Sequence, residues 1–117
     1  MTVPETSRRE VLEALLEARQ APAASASALG RFTWDSEEVV TLRRSHVITV
    51  LNKLVLGEWS PDEVEQWADL LEGRDDVGLE PGHEDVLKQV IFDLANPALQ
   101  GPLDARAADG LMRRLTA

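Results

Sequence analysis

The sequence predicts an all-α fold: a compact bundle of four helices over about residues 42–115, preceded by an N-terminal helical arm and a linker. Apolar residues make up 44% of the 117-residue chain, which is typical of one globular domain. Leu and Val supply most of them and aromatic residues only 4%, a balance that favours helix packing over a sheet. Apolar residues also recur at helical spacing through most of the chain. We therefore expect residues 1–117 to form a single helical domain.

The N-terminal part predicts a helix, a linker and an extended segment. Residues 5–20 are expected to be helical, because Ser7 and Glu10 have the spacing of a capping box and apolar residues recur at helical spacing. The small-residue run APAASASALG at 21–30 has no periodicity and predicts a linker. Residues 31–41 mix aromatic residues with acids and predict an extended segment with room for a short strand. The loosely attached first helix can then pack on its own domain or on a second copy.

The clearest local signal begins a helix at residue 61. Ser60 is expected to accept the backbone N–H of Glu63, while the Glu63 carboxylate accepts the N–H of Ser60. A proline occupies the first helical position, where its missing donor costs nothing. This helix is predicted over residues 61–72, and an apolar stripe predicts another over residues 42–56 just before it. A glycine follows each helix, as a left-handed C-terminal cap requires.

Two more helices are predicted over residues 83–95 and 105–115. The first ends where a proline disfavours helical geometry in Asn96, and the second begins at a cap on Asp104. The turn-rich residues 74–82 predict a loop. Because the connections are short, neighbouring helices are expected to pack antiparallel or at steep angles.

Negative charge is concentrated in the middle of the chain. The formal net charge is −9. Residues 1–34 are neutral in sum and residues 86–117 carry +1, whereas residues 35–85 hold fourteen acidic and four basic residues, a net charge of −10. Such a field repels phosphates and acidic membranes and steers basic partners toward the protein. An acidic surface that serves only solubility is the alternative.

Composition excludes several classes of protein. Because the chain has no Cys, disulfides, thiolate nucleophiles and cysteine metal sites are excluded. The first ten residues carry charge where a signal peptide needs an apolar core, and no stretch approaches the roughly 18 apolar residues of a membrane span. We therefore expect a cytoplasmic protein that does not contact a membrane.

The sequence predicts no catalytic, cofactor-binding or metal-binding residue. A tempting metal cluster consists of Asp75, Asp76, Glu80, His83, Glu84 and Asp85. It lacks the alternating oxygen ligands and central glycine of an EF-hand, and the chain has too few histidines for a catalytic zinc site. Ser45 and His46 are neighbours on a predicted helix, so their side chains point about 100° apart and cannot act as a nucleophile and its base.

The helix predicted over residues 61–72 carries the best positive signal for function. It holds five acids and no base, so it cannot approach the phosphates of DNA as a recognition helix does. Apolar residues occupy one side of it, and most of its acids must therefore face solvent, flanked by Trp59 or Trp67. Trp67 shares the apolar stripe and is expected in the core. We predict that a basic protein binds one outward-facing negative patch that consists of Asp62, Glu65, Asp69, Glu72, Asp75, Asp76 and Glu80.

Part of the sequence resembles known bacterial proteins. LVLGEWSPDE at residues 54–63, continuing to Trp67, and FDLANP at residues 92–97 resemble a recurrent pattern in small uncharacterised bacterial helical proteins. Within about residues 42–115 the chain is also similar to the colicin-D-type immunity proteins, small acidic helical inhibitors of cytotoxic tRNases. The resemblance implies that carboxylates occlude a basic nuclease surface. It supplies no individual inhibitory residue, and the arm of residues 1–34 has no counterpart.

These observations predict a non-enzymatic acidic protein-binding module, with an immunity-type inhibitor of a basic nuclease toxin as its specific form. The alternative is a structural or accessory subunit that forms a homodimer through the amphipathic helix of residues 5–20. An enzyme that uses the cluster around His83 is the least favoured interpretation. No cofactor and no nucleic-acid partner is expected.

Overall fold

Helices account for most of the computed structural model, which describes residues 5–29 and 38–116. The helices are α1 (Glu5–Leu16), α2 (Pro22–Leu29), α3 (Arg44–Val55), α4 (Pro61–Leu71), α5 (Glu84–Ala95), α6 (Pro97–Gln100) and α7 (Ala105–Thr116). The strands are β1 (Val40–Leu42) and β2 (Val77–Leu79). The predominantly helical prediction is confirmed, and α3, α4, α5 and α7 occupy the predicted bundle region. The element count is corrected: α2, the short α6 and a two-stranded sheet are additional.

Local sequence signals begin and end several helices as predicted. At the start of α4, Ser60 Oγ accepts the backbone N–H of Glu63 at 3.2 Å, and Glu63 Oε1 accepts the N–H of Ser60 at 3.0 Å. At the start of α7, Asp104 Oδ1 accepts the N–H of Ala107 at 2.8 Å. Gly57 follows α3 with a φ of +77°, which glycine adopts without strain. These caps satisfy backbone groups that helix ends otherwise leave unpaired.

Helix α1 packs on its own chain. The side chains of Leu12, Leu15 and Leu16 are buried, and Trp67 Nε1 donates a hydrogen bond of 2.7 Å to the carbonyl of Leu15. The leucines that would have carried assembly are therefore covered within the chain. A homodimer through residues 5–20 stays a prediction and would have to use the polar face of α1.

The end of α1 differs from the prediction. The helix ends at Leu16 rather than near residue 20, because Ala18 adopts a left-handed φ of +53° and donates its N–H to the carbonyl of Leu15 at 3.1 Å. Ser7 lies inside the helix rather than at its N-cap, so the predicted capping box is wrong. A left-handed alanine has no sequence signature, since glycine or asparagine usually fills that position.

Residues 22–29 form α2, where a linker without periodicity was predicted. Its buried residues are Pro22, Ser25 and Leu29, which recur at helical spacing, and the helix packs against α1 and α4. Pro22 and Ser25 are not hydrophobic residues, so a search for apolar residues at helical spacing does not detect this buried face. The many alanines favour a helix and allow close approach to its neighbours.

Strands β1 and β2 form a parallel two-stranded sheet within residues that were predicted as a loop and an extended segment. The prediction of a loop over residues 74–82 is wrong at β2, whereas the predicted extended segment does end in a strand, β1. Residues 31–37 of that segment, with its two aromatic residues, and residue 30 of the predicted linker lie outside the described residues. The register pairs are Val40–Val77, Thr41–Gly78 and Leu42–Leu79.

One hydrophobic core joins the helices to the inner face of the sheet. Its largest fully buried side chains are Trp67, Leu12, Leu15, Leu42, Leu51, Leu87, Leu94, Leu115, Val47, Val50, Val64 and Val90. Every helix of the described residues is too short or too polar to cross a bilayer.

Candidate protein-binding surface

Helix α4 and its C-cap carry a row of carboxylates beside the face that packs in the core. The helix buries Val64, Trp67, Ala68 and Leu71. Asp62, Glu65, Asp69 and Glu72 follow at spacings of three, four and three residues, which places them on one face of a helix. All four are exposed or half-buried, and the exposed Asp75 follows one turn beyond. We call this set of five residues, Asp62, Glu65, Asp69, Glu72 and Asp75, the acidic stripe.

None of the five carboxylates of the acidic stripe forms an ion pair with a basic side chain of residues 5–29 or 38–116. Glu72 accepts only a long hydrogen bond of 3.4 Å from Asn96 Nδ2. Partial burial raises the pKa of Asp69 above its ordinary value, and the negative charge of Glu72 raises it further. A cation bound close to both carboxylates would lower the pKa of Asp69 again.

Asp76 was predicted to share this outward patch, and the structure corrects that prediction. Its side chain is fully buried and accepts two hydrogen bonds from the Arg74 guanidinium, at 2.9 and 3.1 Å. A second guanidinium, that of Arg8, lies 3.8 Å away. Residue 76 immediately precedes β2, and its carbonyl accepts the N–H groups of Val39 and Val40. The carboxylate is therefore an internal counter-charge that a partner cannot reach.

Glu80 was predicted to bind a partner as well, but it stabilises the start of α3. Its Oε1 accepts the backbone N–H of Arg44 at 3.0 Å and the guanidinium Nε at 3.1 Å. These bonds to Arg44 lower the pKa of Glu80 to about 2. Because its charge is already paired, Glu80 contributes less to an outward field than an unpaired carboxylate does, and its contact with a partner stays a prediction.

An apolar groove of about 940 Å³ opens beside the acidic stripe, between the end of α4, β2 and α5. Its apolar lining consists of Leu42, Leu71, Val77, Leu79, Ile91 and Phe92. Its charged rim includes Glu72, Asp75, Asp85 and Lys88. Two members of the acidic stripe thus lie on the edge of an apolar surface. The carboxylates can attract a cationic protein at long range, and the groove can bury apolar side chains of that protein on contact.

Neither this groove nor its exposed aromatic residue was predicted from the sequence. Trp67 is fully buried, as expected, and Trp59 is also buried, so neither tryptophan flanks the stripe at the surface. Phe92 does so instead, with 40% of its surface exposed. The available signal was that Phe92 falls outside the apolar positions 86, 87, 90, 91 and 94, which recur at helical spacing. Its position beside the groove makes it part of a contiguous apolar surface.

The acids around residues 75–85 do not converge on a metal site. Asp76 faces Arg74 and Glu80 faces Arg44. In the part of the chain that the structure describes, no group of three or more His, Asp or Glu residues is placed to hold a metal ion.

His46 has a structural role at the start of α3. Its Nδ1 accepts the backbone N–H of Arg43 at 2.9 Å, and this requires a ring without a proton on that nitrogen. Burial lowers the pKa of His46 and so favours this neutral form. The histidine therefore closes a helix N-terminus and is not poised beside a nucleophile.

Comparisons with known proteins found no match, so a function must be inferred from the surface described above. The similarity to colicin-D-type immunity proteins stays a prediction from the sequence. No family model and no curated protein matches the sequence, and no solved structure matches the fold.

Proposed function

We propose that this protein is a non-enzymatic protein-binding module whose acidic stripe and neighbouring groove bind a basic partner protein. The observation that supports the proposal most is a row of four carboxylates at the spacing of one helix face, followed by Asp75, none of which forms an ion pair with a described residue, beside an apolar groove. A stripe whose carboxylates were paired with Arg, as Asp76 and Glu80 are, would offer no such field.

The two parts of the surface contribute differently to binding. Unpaired surface carboxylates steer a cationic partner and increase the rate of association. Salt weakens this effect, because the Debye length is about 10 Å at 0.1 M ionic strength and charges further apart are largely screened. The apolar groove contributes the area removed from water, and Phe92 at its edge is the aromatic side chain that interface centres favour. Together they favour a partner that has both cationic and apolar side chains.

The specific form that we propose is an immunity-type inhibitor of a basic nuclease toxin. Nuclease surfaces are cationic because they bind phosphates, and a set of carboxylates can occupy such a surface in place of the nucleic acid. The resemblance of residues 42–115 to colicin-D-type immunity proteins supports this form.

Charge reversal on the stripe tests the proposal. The variant Glu65→Lys, Asp69→Lys, Glu72→Lys is compared with a control of equal charge change, Glu10→Lys, Glu17→Lys, Asp109→Lys, whose three residues are exposed and lie outside α4. Proteins of the native host are captured on each immobilised variant at low and at high salt. We expect the wild type and the control to retain a basic protein at low salt and the stripe variant to lose it.

Equal capture by the stripe variant and the wild type at every salt concentration would contradict the proposal. A loss that the control variant shares would mean that overall charge, and not the stripe, determines retention.

A further inference from the structure

The two apolar residues of β2, Val77 and Leu79, line the groove, and their backbone groups face away from β1. Val40 donates its N–H to the carbonyl of Asp76 at 3.3 Å, and the carbonyl of Leu42 accepts the N–H of Glu80 at 2.9 Å. In a parallel pair with this register, residues 76, 78 and 80 direct their N–H and C=O groups toward β1. The alternate residues, Val77 and Leu79, must direct theirs toward the opposite edge.

That edge has no strand on it within the described parts of the chain. No backbone or side-chain group of residues 5–29 or 38–116 forms a hydrogen bond with the N–H or C=O of Val77 or Leu79. Natural sheets usually protect such an edge with lysine, proline or a covering element. Here the edge residues are Val77, Gly78 and Leu79, and both apolar residues of β2 also line the groove.

We propose that an extended basic segment of a partner protein adds to the outer edge of β2 as a third strand. Its backbone pairs with the N–H and C=O groups of Val77 and Leu79, and its alternate apolar side chains enter the groove. Its Lys or Arg side chains then meet Glu72, Asp75 and Asp85 on the rim. This inference rests on the proposed function and specifies how the basic partner binds.

Charge complementarity selects the occupant. The groove is lined by three carboxylates, Glu72, Asp75 and Asp85, and by two cations, Lys88 and Arg74. The Arg74 guanidinium already donates two hydrogen bonds to the buried Asp76, so the exposed charge of the lining is negative. A second copy would bring an identical set of carboxylates against the first and be repelled, whereas a cationic strand would be attracted.

The backbone of β2 favours a strand over a helix as the bound form. A helix satisfies all its interior N–H and C=O groups internally, so a helix lying in the groove would bury the polar groups of Val77 and Leu79 without partners. Burial of such groups without a hydrogen bond is unfavourable. A strand pairs them and presents a side chain to the groove at every second residue, which matches the alternation in β2 itself.

Amide hydrogen exchange tests strand addition directly. The probe is a capped peptide of about seven residues in which lysine and valine alternate. We expect the peptide to slow exchange at the N–H groups of Val77 and Leu79 by about tenfold or more, as one new hydrogen bond each requires. The amide of Gly78, which the ladder to β1 already holds, is the internal control and should change little.

Two further peptides separate shape from charge. A peptide of the same composition with valine at helical spacing should bind at least about tenfold more weakly, because it cannot form the strand contacts. A peptide with glutamate in place of lysine should not bind. Equal binding by the alternating and helically spaced peptides would overturn the inference.

A protein variant removes one edge donor. Leu79→Pro lacks the outward N–H while leaving the ladder to β1 intact, and Leu79→Ala is the matched control that truncates the side chain but keeps the donor. We expect Leu79→Pro to bind the alternating peptide about tenfold more weakly than Leu79→Ala does. If the proline variant fails to fold, the exchange measurement on the wild type still decides.

The outcomes distinguish this inference from the proposed function. If the alternating peptide does not bind, or binds while exchange at Val77 and Leu79 is unchanged, strand addition is wrong. The charge-reversal capture experiment would stand in either case, because it depends on the acidic stripe and not on the sheet edge. Loss of capture by the stripe variant together with unchanged exchange would retain an acidic binding module with a different mode of contact.

Discussion

Glu80 and Arg44 join the end of β2 to the start of α3 through two hydrogen bonds to one carboxylate oxygen. Glu80 Oε1 accepts the Arg44 backbone N–H and its guanidinium Nε at 3.0 and 3.1 Å. The carboxylate therefore satisfies a donor that the helix start leaves unpaired and also lies at the positive end of the helix dipole. A residue that appears in the sequence as part of a negative patch is thus committed to holding the sheet against the bundle.

This relationship predicts an acid-sensitive contribution to stability. The pKa of Glu80 is about 2 in the folded protein and near 4.5 ordinarily, so its contribution is complete above about pH 4.5 and is lost as the pH falls toward 2. We expect Glu80→Gln to be less stable than the wild type at pH 7, with a difference that shrinks as the pH falls. Urea unfolding from pH 7 to 3 measures it, with the exposed Glu84→Gln as control. A difference that is constant with pH would contradict the assignment.

The buried pair of Asp76 and Arg74 predicts a large loss on breaking it. Asp76→Ala removes the carboxylate that accepts two hydrogen bonds from the Arg74 guanidinium, whose side chain is only 2% exposed. We expect the free energy of unfolding to fall by about 3 kcal/mol or more. The adjacent variant Asp75→Asn should change it by less than about 0.5 kcal/mol, because Asp75 is exposed and forms no ion pair with a described residue. Similar losses for the two variants in urea unfolding would refute this distinction.

Two glycines predict stability changes of opposite sign. Neither Gly110 nor Gly57 has an atom within 4 Å of where a Cβ would lie, so backbone conformation alone decides. Gly110 lies in the interior of α7, and Gly110→Ala should stabilise the protein by about 0.5–1 kcal/mol. Gly57 has a φ of +77°, and Gly57→Ala should destabilise it by about 1 kcal/mol. Thermal unfolding of both variants measures the pair, and changes of equal sign would contradict the argument.

The start of α4 predicts a moderate capping effect. Ser60→Ala removes the acceptor of the Glu63 N–H and should lower the free energy of unfolding by about 1 kcal/mol. Ser45→Ala is the matched control, because Ser45 is an exposed residue within α3. The same urea measurement serves both variants. A loss at Ser45 as large as that at Ser60 would show that the hydroxyl at residue 60 is not acting as a cap.

Signals within a few residues allowed much of the helical part of the fold to be predicted. The reciprocal bonds of Ser60 and Glu63 depend on residues three positions apart, and Asp104 caps α7 at the same range. Such contacts are determined locally. By contrast, the stripe of α2 rests on Ser25, a polar residue that is buried only because α1 and α4 cover it. Its environment could not be inferred from its neighbours in sequence.

The sheet and the paired acids depend on residues that are far apart in the chain. Strand β2 has only three residues, and its central Gly78 carries the side chain of Glu38 against it, so that a Cβ there would overlap the Glu38 carboxylate. Glu80 finds its cation 36 residues away in the sequence. Only Asp76 has its partner nearby in the sequence, because Arg74 lies two residues before it. The exposed carboxylates of α4 were predictable because the apolar stripe of that helix was.

The bond from Trp67 to the carbonyl of Leu15 has a consequence for how the acidic stripe binds. It fixes the inner side of α4 to α1, and rotation of α4 about its own axis would break a buried hydrogen bond of 2.7 Å. The carboxylates on the outer side are thereby preorganised: their helix pays no orientational entropy when a ligand arrives, and only side-chain rotamers remain to be ordered. The buried Trp67 thus determines the direction in which α4 presents its exposed carboxylates.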